Sequence, residues 1–193
     1  MRSAGIRRRA IMSLASVVLG VGLAGCAASG ESMRAIQKSM EPTILSGEII
    51  PLDVHAYDAT EPRIGDIVSL RAPANVGSQT CAVSTRRGQP CPRASERLTD
   101  ISLIKRIVAG PGQTVSINRE GRARVDGVME DEPFIIACEA SDDCRMPRPM
   151  RVPPGAYLVL GDNRPYSSDS RYWGPVPRAA IEGRVTPLDP ARR

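Results

Sequence analysis

Among the 26 basic residues of this chain only Lys38 and Lys105 are lysines, and His55 is the single histidine. Arginine keeps its proton at any physiological pH, so these three side chains are the candidate nitrogen bases. A lysine set among apolar groups can have its pKa lowered far enough to take a proton from a hydroxyl. Lys105 has such neighbours in Ile101, Leu103, Ile104, Ile107 and Val108. A lysine on the wet face of a half-buried strand would have the same neighbours, so burial decides between the two. Lys38 adjoins Ser39, but successive residues of an extended chain point to opposite faces, and it could not easily serve that serine. His55, in "PLDVHAYD", reads as a residue of a strand or its following turn rather than a base for Ser39.

Short runs rich in Val, Ile and Leu must position these groups: "GEIIPLDVHAY", "GDIVSLRAP", "LTDISLIKRIVAG", "QTVSINREG", "RARVDGVME" and "AYLVLGDNR". Gly, Pro and Asp punctuate them, which is the pattern of strands joined by turns. With 17 prolines and 17 glycines, no sustained helical stripe survives after the N-terminus. The body is expected to be mostly β, with a hairpin over residues 118–126 around Glu120 and Gly121. Two polar, turn-rich stretches, residues 74–97 and 137–155, read as surface insertions.

The N-terminus differs from the rest. Arginines at positions 2, 7, 8 and 9 precede an uncharged, mostly apolar run over residues 10–29, which reads as a secretory signal or a marginal membrane span with its arginines on the cytoplasmic side. Those arginines carry most of the net charge of +5, leaving about +1 for the body, so nothing favours nucleic-acid binding. The run ends in Leu23-Ala24-Gly25-Cys26, which resembles the lipobox of bacterial lipoproteins and makes Cys26 a candidate for lipidation; a chance cysteine in a spanning helix is the alternative. Gly20, Gly22 and Gly25 have dinucleotide-fingerprint spacing without the strand or βαβ unit it requires. The remaining cysteines group as Cys81 with Cys91 and Cys138 with Cys144, natural partners for two short-loop disulfides in an exported protein, although sequence leaves their connectivity open. Neither spacing suits a zinc site. The expected organisation is a membrane-targeting segment, residues 1–30, and one β-rich catalytic domain, residues 31–193.

Four stretches in order carry a resemblance. "SMEPTILSGE" resembles the nucleophile box of bacterial type I signal peptidases, the Ser-Lys membrane proteases that remove signal peptides, and "IGDIVSLRAP" resembles the structural box that follows it. "LIKRIVAGPG" resembles the box holding the general-base lysine, and "GDNRPYSSDSRYWGPV" the last box, behind the active site. The resemblance implies coiled antiparallel β-sheets with an N-terminal membrane anchor, and a catalytic domain on the outer face of the cytoplasmic membrane. Only about a dozen residues separate Cys26 from Ser39, so such an anchor would hold the serine near the bilayer surface, where cleavage sites emerge.

By the same resemblance, Ser39 is the nucleophile and Lys105 its base, with Ser167 orienting the lysine. Asp162 with Arg106, and Asp169 with Arg171, match scaffold ion pairs; Met40 would pack beneath the site, and Pro42 and Thr43 would shape the turn. The oxyanion hole would use the Ser39 N–H and a second donor. Where many members carry Ser or Gly two residues before the nucleophile, this chain has Gln37, so the second donor could be its side-chain amide or its own N–H. Signal peptides would bind as an added strand with small residues at −1 and −3. The implied partners are exported preproteins and membrane lipids, with no metal, no cofactor and a monomeric state. Two other readings stay open: a peptidase of the same superfamily dedicated to one substrate such as a pilin, and a non-catalytic lipoprotein that binds extended peptides.

Overall fold

A computed structural model of the chain describes residues 30–77, 81, 83–84, 89–139, 144–189 and 191. Cys26 and the apolar run expected to anchor the chain lie outside them. Among the described residues no helix is long and apolar enough to cross a membrane.

The structure is mostly antiparallel β, as the punctuated apolar runs predict. Its strands are β1 (Glu31–Arg34), β2 (Ile49–Asp53), β3 (Ile67–Pro73), β4 (Leu98–Ala109), β5 (Thr114–Ile117), β6 (Ala123–Val125), β7 (Val128–Met129), β8 (Met146–Arg151), β9 (Ala156–Leu160), β10 (Val176–Pro177) and β11 (Ile181–Val185). A larger sheet runs β1-β2-β11-β3-β4-β9-β10 and a smaller one β7-β6-β5-β8. The α-helix among the described residues is the single turn α1 (Ser170–Trp173), capped by the Asp169 side chain on the Arg171 N–H. The expected hairpin joins β5 to β6, and Gly121 at its tip has φ +82°, a conformation that glycine adopts without a Cβ penalty.

The strand β9, "AYLVL", shows why some runs are continuously apolar rather than alternating. Tyr157 and Val159 enter a core with Leu70, Ile107 and Trp173, while Leu158 and Leu160 enter a second core with Val115, Ile117 and Met150 on the smaller sheet. Both faces of the strand are therefore dry, and both must be apolar. A third cluster, with Met40, Ile44, Ile50, Ile67 and Ile104, lies under the N-terminal segment. Trp173 is fully buried, which assigns it to the core rather than to a lipid surface.

Two features of the larger sheet shape a cleft. β3 accompanies β4 from Leu98 to Arg106, whereas β9 joins the other edge of β4 only from Arg106 to Ala109. The first half of β4 thus keeps one edge without a strand partner among the described residues. The cysteines are joined as Cys81–Cys91 and Cys138–Cys144, one pair in each polar insertion.

Because Leu158 is wholly enclosed, Leu158→Ala should cost about 2–5 kcal/mol in a urea unfolding series, through lost burial and the cavity left behind. Val128→Ala, at a side chain 66% exposed, should stay within about 0.5 kcal/mol of the parent.

Candidate active site

Ser39 sits in a 3₁₀ turn, Lys38–Met40, entered from Gln37 in an extended conformation. Apolar packing fixes this turn: Met40, 2% exposed, and Ile44 drop into the cluster that contains Ile104 of β4, and Ile44 N–H donates to the Met40 carbonyl. The loop closes through Ala35 N–H on the Glu48 carbonyl and Gly47 N–H on the Ala35 carbonyl. The segment bearing Ser39 is thereby clamped against the strand that bears the lysine.

Strand alternation places Lys105 in the row of Leu103 and Ile107, both members of a buried core. It is 1% exposed, so it is not a solvent-facing strand lysine. Its Nζ lies 2.9 Å from Ser39 Oγ and 3.1 Å from the Ile104 carbonyl. Burial is the largest influence on its pKa, which falls from 10.5 to about 8; Asp169 and Asp162 pull it upward, and Arg171 reinforces the fall. A neutral amine therefore becomes accessible only slightly above neutrality.

The two expected ion pairs flank this amine. Arg106, on the opposite face of β4 from Lys105, grips Asp162 through Nε at 2.9 Å and Nη2 at 2.7 Å, and its guanidinium lies 4.0 Å from the centre of the Phe134 ring. Asp162 also accepts from Thr43 Oγ1 at 2.5 Å, which ties the last motif to the turn after Ser39. Arg171 grips Asp169 through Nε at 2.8 Å and Nη2 at 2.9 Å. Burial alone would raise the Asp169 pKa, but Arg171, the Ser167 hydroxyl and the Gly161 N–H together hold it below its ordinary value. Each carboxylate is matched by a bidentate guanidinium rather than by the lysine.

Ser167 is buried beside the site, but its hydroxyl makes no hydrogen bond to Lys105 and has no partner of full hydrogen-bond geometry. The amine's bonds go to Ser39 and Ile104 instead. Gln37 is exposed on the cleft wall, and its side chain does not cap the turn. Lys38 points to solvent, and His55 is exposed and paired with Asp58, with its pKa raised chiefly by that hydrogen bond.

Several contributors carried no separate signal in the sequence. A Cβ on Gly161 would collide with Ser167 Oγ and the Ser39 carbonyl, so only glycine allows the two motifs to touch there. Asn163 donates to the Lys38 and Ser39 carbonyls. Arg164 is buried against Glu132 at 2.6 Å and bonds the Gly121 carbonyl, fastening the smaller sheet's hairpin to the site. Gly161, Asn163 and Arg164 stood inside "GDNRPYSSDSRYWGPV", but nothing in "DEPF" singled out Glu132.

A narrow cleft, open to solvent, runs beside Ser39. Met33, Ala35, Ile36 and Gln37 line one side, Ser102, Leu103 and Ile104 the other, and Ser39 and Met40 the end.

A serine hydroxyl in contact with a buried amine of lowered pKa is the arrangement of the Ser-Lys hydrolases, in which lysine replaces histidine as the proton acceptor. The chain belongs to the signal peptidase family, peptidase S26, whose family model matches residues 7–188. It is 33% identical over 170 residues to a protein named "Probable signal peptidase I-2" from Synechocystis, covering 88% of this chain and 66% of that one. It is also 33% identical over 146 residues to "Thylakoidal processing peptidase 1, chloroplastic" from Arabidopsis thaliana, covering 76% of this chain and 38% of that one. The chain thus spans less than two thirds of the length of either relative. A crystal structure of a signal peptidase I from Enterococcus faecalis overlaps 66% of this chain and 98% of its own, at 25% identity and a TM-score of 0.42.

The lowered lysine pKa carries a stability consequence. Between pH 8 and 10.5 the unfolded chain would hold a proton on Lys105 that the folded chain has released, so this group favours folding more as pH rises through that window and opposes it below. Lys105→Met should therefore raise Tm near neutral pH, by an amount reflecting up to about 3 kcal/mol. The gain should shrink towards pH 10.5 in a series of thermal melts.

Proposed function

We propose that this protein is a serine endopeptidase that removes signal peptides from exported proteins after small residues, with Ser39 as nucleophile and Lys105 as general base. The observation that carries the reading is the 2.9 Å contact between Lys105 Nζ and Ser39 Oγ, with the lysine 1% exposed. Family membership supports it independently.

In this mechanism neutral Lys105 accepts the Ser39 proton as Oγ attacks the scissile carbonyl carbon. The resulting oxyanion is stabilised by the Ser39 N–H and a second donor at Gln37. Collapse breaks the C–N bond, and Lys105 returns the proton to the departing amine. Water then attacks the acyl ester and gives a proton to Lys105, which passes it to Ser39 Oγ as the ester C–O bond breaks, releasing the acid product and restoring the neutral amine and the serine hydroxyl. Asp162 and Asp169 stay with their arginines and fix the last motif against the dyad, while Ser167 stands next to the lysine and can orient it once substrate closes the site.

The free edge of β4 suits substrate bound as an additional strand, laid between residues 33–37 and residues 102–104. Alternate side chains would then face the sheet, where Met40, Leu103 and Ile104 leave room for small groups, and larger ones would be rejected by clash. Ile36, 74% exposed, lines the cleft, Ile101, 56% exposed, precedes the β4 residues of its other wall, and Leu45 and Ile49 are exposed in the segment after the nucleophile turn. Exposed apolar side chains around a cleft suit an enzyme anchored at a bilayer surface, with its catalytic part on the outer face of the cytoplasmic membrane.

Cleavage of a peptide bearing an Ala-X-Ala site checks the assignment. The rate should rise with pH through about 8 as Lys105 loses its proton, because only the neutral amine can act as base. Ser39→Ala and Lys105→Ala should each lower kcat by about 1,000-fold or more while remaining folded by circular dichroism. A normal rate in either variant would exclude the dyad.

A further inference from the structure

The Lys38 carbonyl and the Ser39 N–H are opposite ends of one planar trans peptide group, so fixing the direction of the first fixes the second. Two donors hold that carbonyl: the Glu41 N–H within the turn at 3.2 Å, and Nδ2 of Asn163 at 3.0 Å from 125 residues along the chain. The Asn163 backbone N–H also donates to the Ser39 carbonyl at 3.0 Å, so the peptide groups on both sides of Ser39 are held by one residue. Asn163 is 3% exposed.

We infer that Asn163 is a positioning residue for the oxyanion hole, aiming the Ser39 N–H at the carbonyl oxygen of the substrate. This inference rests on Ser39 being the nucleophile. The Ser39 N–H belongs to the first residues of the 3₁₀ turn, whose N–H groups have no carbonyl to bond within it. A rigid direction for that free donor is what oxyanion stabilisation requires, because reorientation during the reaction would consume the gain. Donation onto the Lys38 carbonyl also polarises the peptide and strengthens its N–H as a donor. Asn163 Oδ1 is buried without a partner, a cost that an apolar side chain would avoid. The reverse amide orientation would set two oxygens against each other at Lys38. The Nδ2 donor is thus the function that the site retains at that cost.

Asn163 touches no reacting atom and lies off the cleft walls, so its loss should act on the transition state and not on substrate affinity. Asn163→Ala removes the donor; Asn163→Asp keeps the shape and puts oxygen in its place. In both, kcat per folded protein should fall by about 10–100-fold with KM changed by less than about 3-fold. The rise in rate near pH 8 should persist, because Lys105 is untouched. Affinity for a peptide aldehyde of the same sequence, whose adduct with Ser39 places an oxyanion in the hole, should weaken in proportion to kcat/KM. An unchanged kcat, a loss confined to KM, or a shifted pH profile with undiminished aldehyde affinity would overturn the inference. A wild-type protein inert towards both peptide and aldehyde would instead remove Ser39 as nucleophile, a result distinct from an active wild type with unimpaired variants.

Discussion

Enclosing an amine with only a hydroxyl and a carbonyl for partners is the constraint around which the rest of this structure is arranged. A charged ammonium at the position of Lys105 would be poorly compensated, since the nearby carboxylates are each gripped by an arginine. Burial therefore favours the neutral amine, and the pKa of about 8 expresses that balance. An unpaired carboxylate beside the lysine would restore its charge. The bidentate arginines keep Asp162 and Asp169 as scaffold while limiting their hold on the proton.

The same constraint explains why the last motif is so heavily bonded. Residues 161–171 must close over the lysine from a distant part of the chain, and no extended strand ladder secures them. Their attachment comes from side chains: Thr43 on Asp162, Asn163 on the nucleophile turn, Arg164 on Glu132 and the Gly121 carbonyl, and Arg171 on the carbonyls of Arg164 and Ser167. Gly161 lets the segment come within contact of Ser39 and Ser167. Most polar groups buried in this segment are satisfied; among its buried side-chain atoms Asn163 Oδ1, Ser167 Oγ and Ser168 Oγ lack a hydrogen-bond partner.

Sheet topology supplies the remaining part of the site. β4 is shared between three apolar clusters, so its backbone is held firmly where Lys105 emerges. Its first half, without a second strand neighbour among the described residues, keeps backbone donors and acceptors available along the cleft. Rigid support for Lys105 and an open strand edge are thus successive parts of one twelve-residue strand.

Much of this was legible in the chain itself. Scarcity of lysine and histidine isolated Lys105, because few other groups could act as a base, and Val, Ile and Leu runs broken by Gly and Pro marked the strands through local periodicity. The four ordered motifs placed Ser39, Lys105 and the two ion pairs, and the spacing of the cysteines suggested their grouping. Burial of Lys105 was not legible, since its sequence neighbours suit a half-buried strand equally well; it depends on Ser39, Met40 and the last motif arriving from far along the chain. For the same reason Glu132 was silent, as its partner Arg164 lies 32 residues away across two sheets. Local sequence determines strand, turn and the identity of reactive groups, while solvent exclusion and hydrogen-bond direction belong to contacts between distant segments, which only the tertiary structure decides.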